Sequence, residues 1–144
     1  MIRPLIATSA CLCLLSPSPT SQSQAKSLIE HDSTVARLEP GPHNGGGQTT
    51  GYSFFAQAPN LSLVFRKRAL HRGAAIGYHR QEVDEIYYIV SGTGTLTLNG
   101  AQSVVGSGTA ILTRVGNSHG LQQLGAEDLV IIVTYPQPGN VRRS

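Results

Sequence analysis

Of the five histidines in this 144-residue chain, His79 and His119 sit in regular frames of glycine with a carboxylate nearby. Gly73 is followed after five residues by His79, then by Gln81, after three more by Glu85 and after six more by Gly92. A second frame runs from Gly108 through Gly116 to His119 and Gln123. On an extended strand His79 and Gln81, two residues apart, share one face, and Glu85 returns to that face. One wall of a barrel can so present three donors inward, and His119 must reach the same depth from another strand. Imidazole, amide and carboxylate are donors for a divalent ion, which could orient substrates and stabilise developing negative charge. Thiolate chemistry is excluded. Both cysteines, Cys11 and Cys13, lie in the apolar run 5–15, and that run belongs to a segment expected to be removed.

That segment is residues 1–25. It has one positive charge at Arg3, then the uncharged apolar run, then a small polar stretch ending in Ser23, Gln24 and Ala25. The pattern is that of a secretory signal peptide with a small-x-small cleavage site, and eleven apolar residues are too few to span a bilayer. The expected location is periplasmic or secreted, with no membrane association after cleavage. Charged residues are only 13% of the chain and the net charge is +3. So small an excess excludes nucleic acid as the main partner, and the one basic cluster, Arg66, Lys67 and Arg68, reads as a solvated strand end.

The donors must be held by strands. From residue 52 onward, β-branched and aromatic segments at 52–56, 61–68, 85–90, 93–98, 103–105, 109–113, 119–124 and 128–135 alternate with Gly, Pro or Asn. Asn99 and Gly100 between two such segments predict a two-residue hairpin, since both positions take positive φ. No long window has apolar spacing of period 3.6. An all-β sandwich or small barrel follows. The chain divides into the signal peptide 1–25, an N-terminal arm and glycine-rich loop 26–51, and a barrel 52–140. Residues 41–51 read as a loop, because their glycines lose too much backbone entropy in a regular element. The arm holds β-formers able to pair with a neighbour's sheet edge.

With these residues in place the chain resembles the cupins. Gly73, His79, Glu85 and Gly92 match the first cupin motif, with Gln81 at its second histidine. Gly108, Gly116 and His119 match the second, with Arg114 in place of proline and Gln123 in place of asparagine. The resemblance spans about residues 60–135. It implies a double-stranded β-helix, or jelly-roll barrel, with one divalent metal ion held by His79, Gln81, Glu85 and His119. An amide oxygen is a weaker donor than imidazole. Two imidazoles and a carboxylate still make the facial set of non-haem iron, and iron, manganese and zinc are the expected ions.

The resemblance further implies a small-molecule substrate and a homodimer. The reaction it points to first is dioxygenation of an enol, diketone or phenolic compound. An isomerase or lyase acting on a sugar or keto acid is the alternative, with Glu85 or Tyr87 moving the proton. A non-catalytic ligand-binding protein is the third reading. Parity places Tyr87 and Ile89 with Glu85 on the inner face, and Leu121 and Gln123 with His119, which makes Gln123, Leu121 and Ile89 the substrate-pocket candidates. Tyr88 and Tyr78 point away. His31, His43 and His71 are read as exposed or outside the motif, and Glu82 and Asp84 as solvated.

Overall fold

The computed structural model describes residues 26–137. It contains ten strands: β1 (Ala36–Pro40), β2 (Gln48–Phe54), β3 (Leu63–Leu70), β4 (Ala75–Arg80), β5 (Glu85–Ser91), β6 (Thr93–Leu98), β7 (Ala101–Gly106), β8 (Ala110–Thr113), β9 (Ser118–Leu124) and β10 (Leu129–Pro136). They form two antiparallel sheets. One has the order β1-β2-β3-β10-β5-β8 and the other β4-β9-β6-β7. The expected all-β jelly roll is what the chain adopts.

Period-2 patterning explains the layers. On β5, Glu85, Tyr87 and Ile89 are buried while Ile86, Tyr88 and Val90 are exposed. On β10, Leu129, Ile131 and Val133 turn inward. They meet Leu70, Ile76, Leu96, Ile111 and Leu121 in one apolar cluster between the sheets. Each fully buried Leu or Ile contributes roughly 1.5–3 kcal/mol relative to exposure. The Asn99–Gly100 hairpin forms as expected, with φ of 48° and 85°, and pairs Leu98 with Ala101.

Three expectations need correction. Residues 41–51 are not all loop: β2 starts at Gln48, and Thr49, Thr50 and Gly51 pair with both β1 and β3. Ladder bonds on both sides offset the glycine entropy. β1, from the N-terminal arm, pairs with β2 of its own chain and forms the edge of that sheet. β4 was absent from the expected strands because Gly77, His79 and Arg80 dilute the apolar pattern, yet it pairs along β9. Arg68 is no solvated strand end. It is 8% exposed, bonds the Thr49 hydroxyl and pairs with Glu39 at 2.9 Å. The signal-peptide segment 1–25 and the last expected barrel residues, 138–140, lie outside the described residues.

Candidate metal centre

His79 lies near the end of β4, directly across the ladder from His119 on β9. Gln81 follows, and its backbone is held from both sides by the β8–β9 loop: its N–H donates to Asn117 O and its carbonyl accepts from Gly116 N, each at 2.8 Å. Asp84 fastens the same loop, accepting from Val115 N at 2.9 Å and pairing with Arg114 at 3.0 Å; it is not simply solvated, whereas Glu82 is exposed. Glu85 then opens β5. β4 and β5 belong to different sheets, so the three donors do not share one wall. The short connection between the strands carries the chain across the sandwich, and the donors converge from opposite sheets.

Convergence is close. Ligand atoms of His79, Glu85 and His119 all lie within 4.8 Å of one another. The Gln81 amide nitrogen Nε2 stands 3.0 Å from His79 Nε2, donates to Glu85 Oε2 at 2.7 Å and lies 2.7 Å from His119 Nε2; to serve an ion, the amide must turn its oxygen into that place. Glu85 Oε2 is 3.1 Å from His119 Nε2. Adjacent ligands bound to one ion at about 2.1 Å lie roughly 3 Å apart, so these spacings suit a shared cation. The imidazoles are oriented for it. His79 Nδ1 donates to Gly77 O at 2.8 Å, which leaves the Nε2 lone pair toward the cluster. His119 Nδ1 is 2.7 Å from Thr113 Oγ1, which can accept its proton to the same effect. The donor set therefore fits a divalent ion.

Gln81 lies among the three donors, while Tyr87 has a different character from the one expected. Its ring stacks on His119 with centroids 4.7 Å apart. Burial first, then the Glu85 charge and a hydrogen bond to Glu85, push its phenol well above the ordinary tyrosine value. It stays protonated and steadies the carboxylate, so its proton is hard to give up.

A cavity of about 260 Å³ opens beside the donors, lined by His79, Gln81 and Glu85 together with His43, Arg66 and Arg68. His119, only 1% exposed, lies behind it. Arg66 has no ion-pair partner among the described residues. A larger cavity of about 470 Å³ shares Arg66 and Tyr135 but contains none of the donors. The expected pocket residues lie elsewhere. Ile89 and Leu121, 0% and 1% exposed, belong to the apolar core. Gln123 accepts from Gly73 N at 2.8 Å and donates to Gly125 O and Glu127 O, tying two turns together. Parity pointed all three inward correctly, but none of them borders the cavity.

His43 is the residue that sequence reasoning missed. Exposed as expected, it nevertheless lies flat on His79, with ring centroids 3.4 Å apart and planes 7° from parallel. Burial, then its neighbour His79, lowers its pKa. No motif spacing could have found it, since it comes from the 3-10 turn Pro42–Asn44. His71 also has partners, Thr50 Oγ1 and Asp128 Oδ2, each at 2.9 Å. His31 is exposed and accepts from Ser33 N.

Residues 67–135 match the model of the cupin domain, and the jelly roll and the His-Gln-Glu-His cluster agree with that likeness. The chain is 34% identical over 71 residues, 49% of its length, to an oxalate-binding protein of Thermotoga maritima; the match spans 59% of that relative. By structure it resembles a predicted oxalate decarboxylase of Thermotoga maritima, with a TM-score of 0.68, 24% identity, and coverage of 76% of this chain and 98% of the other. The polyketide cyclase RemF of Streptomyces resistomycificus gives a TM-score of 0.67, 23% identity, and coverage of 83% and 88%. At such identity these likenesses speak for the fold.

Proposed function

We propose that this protein holds a divalent ion with His79, Gln81, Glu85 and His119 and binds a small anionic oxygen ligand beside it. The observation that carries the reading is the shared cavity: the donors and two arginines, Arg66 and Arg68, line the same 260 Å³. A half-buried guanidinium without a partner is costly, and a carboxylate or enolate would satisfy it with charge-assisted hydrogen bonds. The curated relative binds oxalate by its name, which makes a bidentate dicarboxylate the first candidate and supports this ligand chemistry. Enolised diketones and phenolates offer comparable oxygens.

When bound, the ion supplies Lewis-acid charge to the ligand's oxygens and, as iron, redox chemistry. The protein's own groups do the rest. Arg66 and Arg68 orient the anion, Gly77 and Thr113 set the two imidazoles, and Tyr87 aims Glu85 through its hydrogen bond. Among reactions, dioxygenation of an enol, diketone or phenolic substrate stands first, because two imidazoles with one carboxylate form the donor set of non-haem iron oxygenases. Export belongs to the same proposal and rests on the composition of residues 1–25.

Metal analysis of the purified protein, followed by calorimetry with oxalate and with neutral acetone, tests the ligand class. Oxalate binding that is lost in Arg66→Ala is expected, and equal affinity for both ligands overturns it. An oxygen electrode with acetylacetone as substrate then decides the reaction. Uptake of one O₂ per substrate is expected, and anaerobic turnover with solvent deuterium in the product would instead assign a proton-transfer isomerase or lyase. Tight oxalate binding with no turnover of any substrate would assign a binding protein.

A further inference from the structure

His79 and His119 are held unequally. His119 is 1% exposed, with Thr113 on Nδ1 and the Tyr87 ring against its face. His79 is half-buried at the edge of its sheet, and β4 loses regular register between Ile76 and His79. Its contact with His119 is edge-on, at 4.9 Å and 65°. What covers its face is His43, from residues 41–47, outside the segment 67–135 that the cupin domain accounts for.

One backbone bond fastens this strap to β4, Ala75 N donating to Gly46 O at 3.1 Å, while Gly41 N to Gly47 O at 3.0 Å and Gly45 N to Pro42 O at 3.1 Å close the strap on itself. The approach is so close that a Cβ on Gly77 would lie 1.9 Å from His43 O, and one on Gly45 would lie 2.0 Å from Ala75 O. The glycines are what let the strap lie down. His43 itself has φ 53° and ψ 38°, a left-handed conformation uncommon for a non-glycine residue. The same residue so touches His79 twice. Its ring covers the imidazole, and its carbonyl packs on Gly77, whose own carbonyl receives the His79 Nδ1 proton.

We propose that the strap is part of the metal centre and that His43 is a positioning residue, fixing the ring plane and tautomer of His79 so that Nε2 faces the shared ion. The inference rests on the donor cluster's being a metal centre, but it carries a readout that needs no metal. Groups that orient a metal-bound imidazole are typically worth 10- to 100-fold in metal affinity, and a stacked ring acts by its face rather than its nitrogens. Phenylalanine should therefore replace His43 where alanine cannot.

The test uses the full chain with His43→Ala, His43→Phe and Gly77→Ala. In chelator-stripped protein, long-range ¹⁵N spectra of His79 should show the Nδ1–H tautomer in the unsubstituted chain and in His43→Phe, and a tautomer mixture in His43→Ala and Gly77→Ala. Co²⁺ competition titrations should give about tenfold weaker binding for His43→Ala, with His43→Phe restored to within about threefold. Unchanged His79 spectra and Co²⁺ affinity in His43→Ala overturn the proposal, as does a His43→Phe chain that behaves like the alanine variant. If the unsubstituted chain binds no Co²⁺, the metal-centre reading fails, and the spectra alone decide whether His43 positions His79. Circular dichroism on each variant separates loss of fold from loss of position.

Discussion

Glu85 is 8% exposed, and a carboxyl group so buried costs free energy unless it has compensating contacts. The Gln81 amide, the Tyr87 hydroxyl and the neighbouring His119 provide them. Removing one imidazole leaves too few donors, so His79→Ala and His119→Ala should each abolish stoichiometric metal at micromolar concentration, read by metal analysis after dialysis. Gln81→His should tighten binding, since imidazole is the stronger donor, and a chelator competition measures it. If His79→Ala is silent and Gln81→His is unchanged, the site is misassigned. Tyr87 gives a separate expectation in the metal-free protein. Its phenol is raised in the folded state, so above about pH 10 the unfolded chain gives up a proton that the folded chain keeps, and stability falls as pH rises. One such group steepens the fall by up to about 1.4 kcal/mol per pH unit. Tyr87→Phe should remove that slope in urea unfolding between pH 9 and 11; an unchanged slope would show that the phenol is not held this way.

At the scale of elements, the turns carry the site as much as the strands do. Gln123 accepts from Gly73 N and donates to Gly125 O and Glu127 O, joining the β3–β4 turn to the β9–β10 turn while only 5% exposed. Gln123→Ala orphans these groups and should cost about 1–3 kcal/mol, with metal and oxalate affinity retained. Loss of ligand affinity at unchanged stability would return Gln123 to the pocket. The contrast explains what the sequence made legible. His79, Gln81, Glu85 and His119 could be found because motif spacing is a local property, although period 2 wrongly put Glu85 on the wall of His79, and the hairpin at Asn99 and Gly100 because its turn chemistry is local too. Depth along a strand is not local. Leu121 and Ile89 have the right parity but lie in the core, and Arg66 and Arg68 read as solvated although they line the cavity. His43 depends on backbone contact between a glycine-rich strap and Gly77, more than thirty residues later, which no periodicity records.

For the whole molecule, the outer face of the six-stranded sheet is the feature that a lone chain leaves unexplained. Ile86, Tyr88 and Val90 on β5 are 43%, 47% and 44% exposed, and Leu112 on β8 is 51% exposed. The register sets them side by side: Ile86 pairs with Leu112 and Tyr88 with Ala110, and on the other flank Tyr88 pairs with Ile132. Isolated exposed apolar residues are ordinary, but a contiguous patch marks an interaction surface. A second copy of the chain is the occupant to expect, because a closed two-fold pair buries the same patch twice and leaves no open face for further growth. β1, from the arm, is the edge strand of the same sheet and is paired only along β2. Sedimentation equilibrium should therefore give a dimer mass that Tyr88→Lys converts to monomer. Because the metal donors point to the opposite side of β5, that variant should keep its metal content. A monomer in the unsubstituted chain at tens of micromolar, or a dimer indifferent to Tyr88→Lys, would assign the apolar face to some other partner.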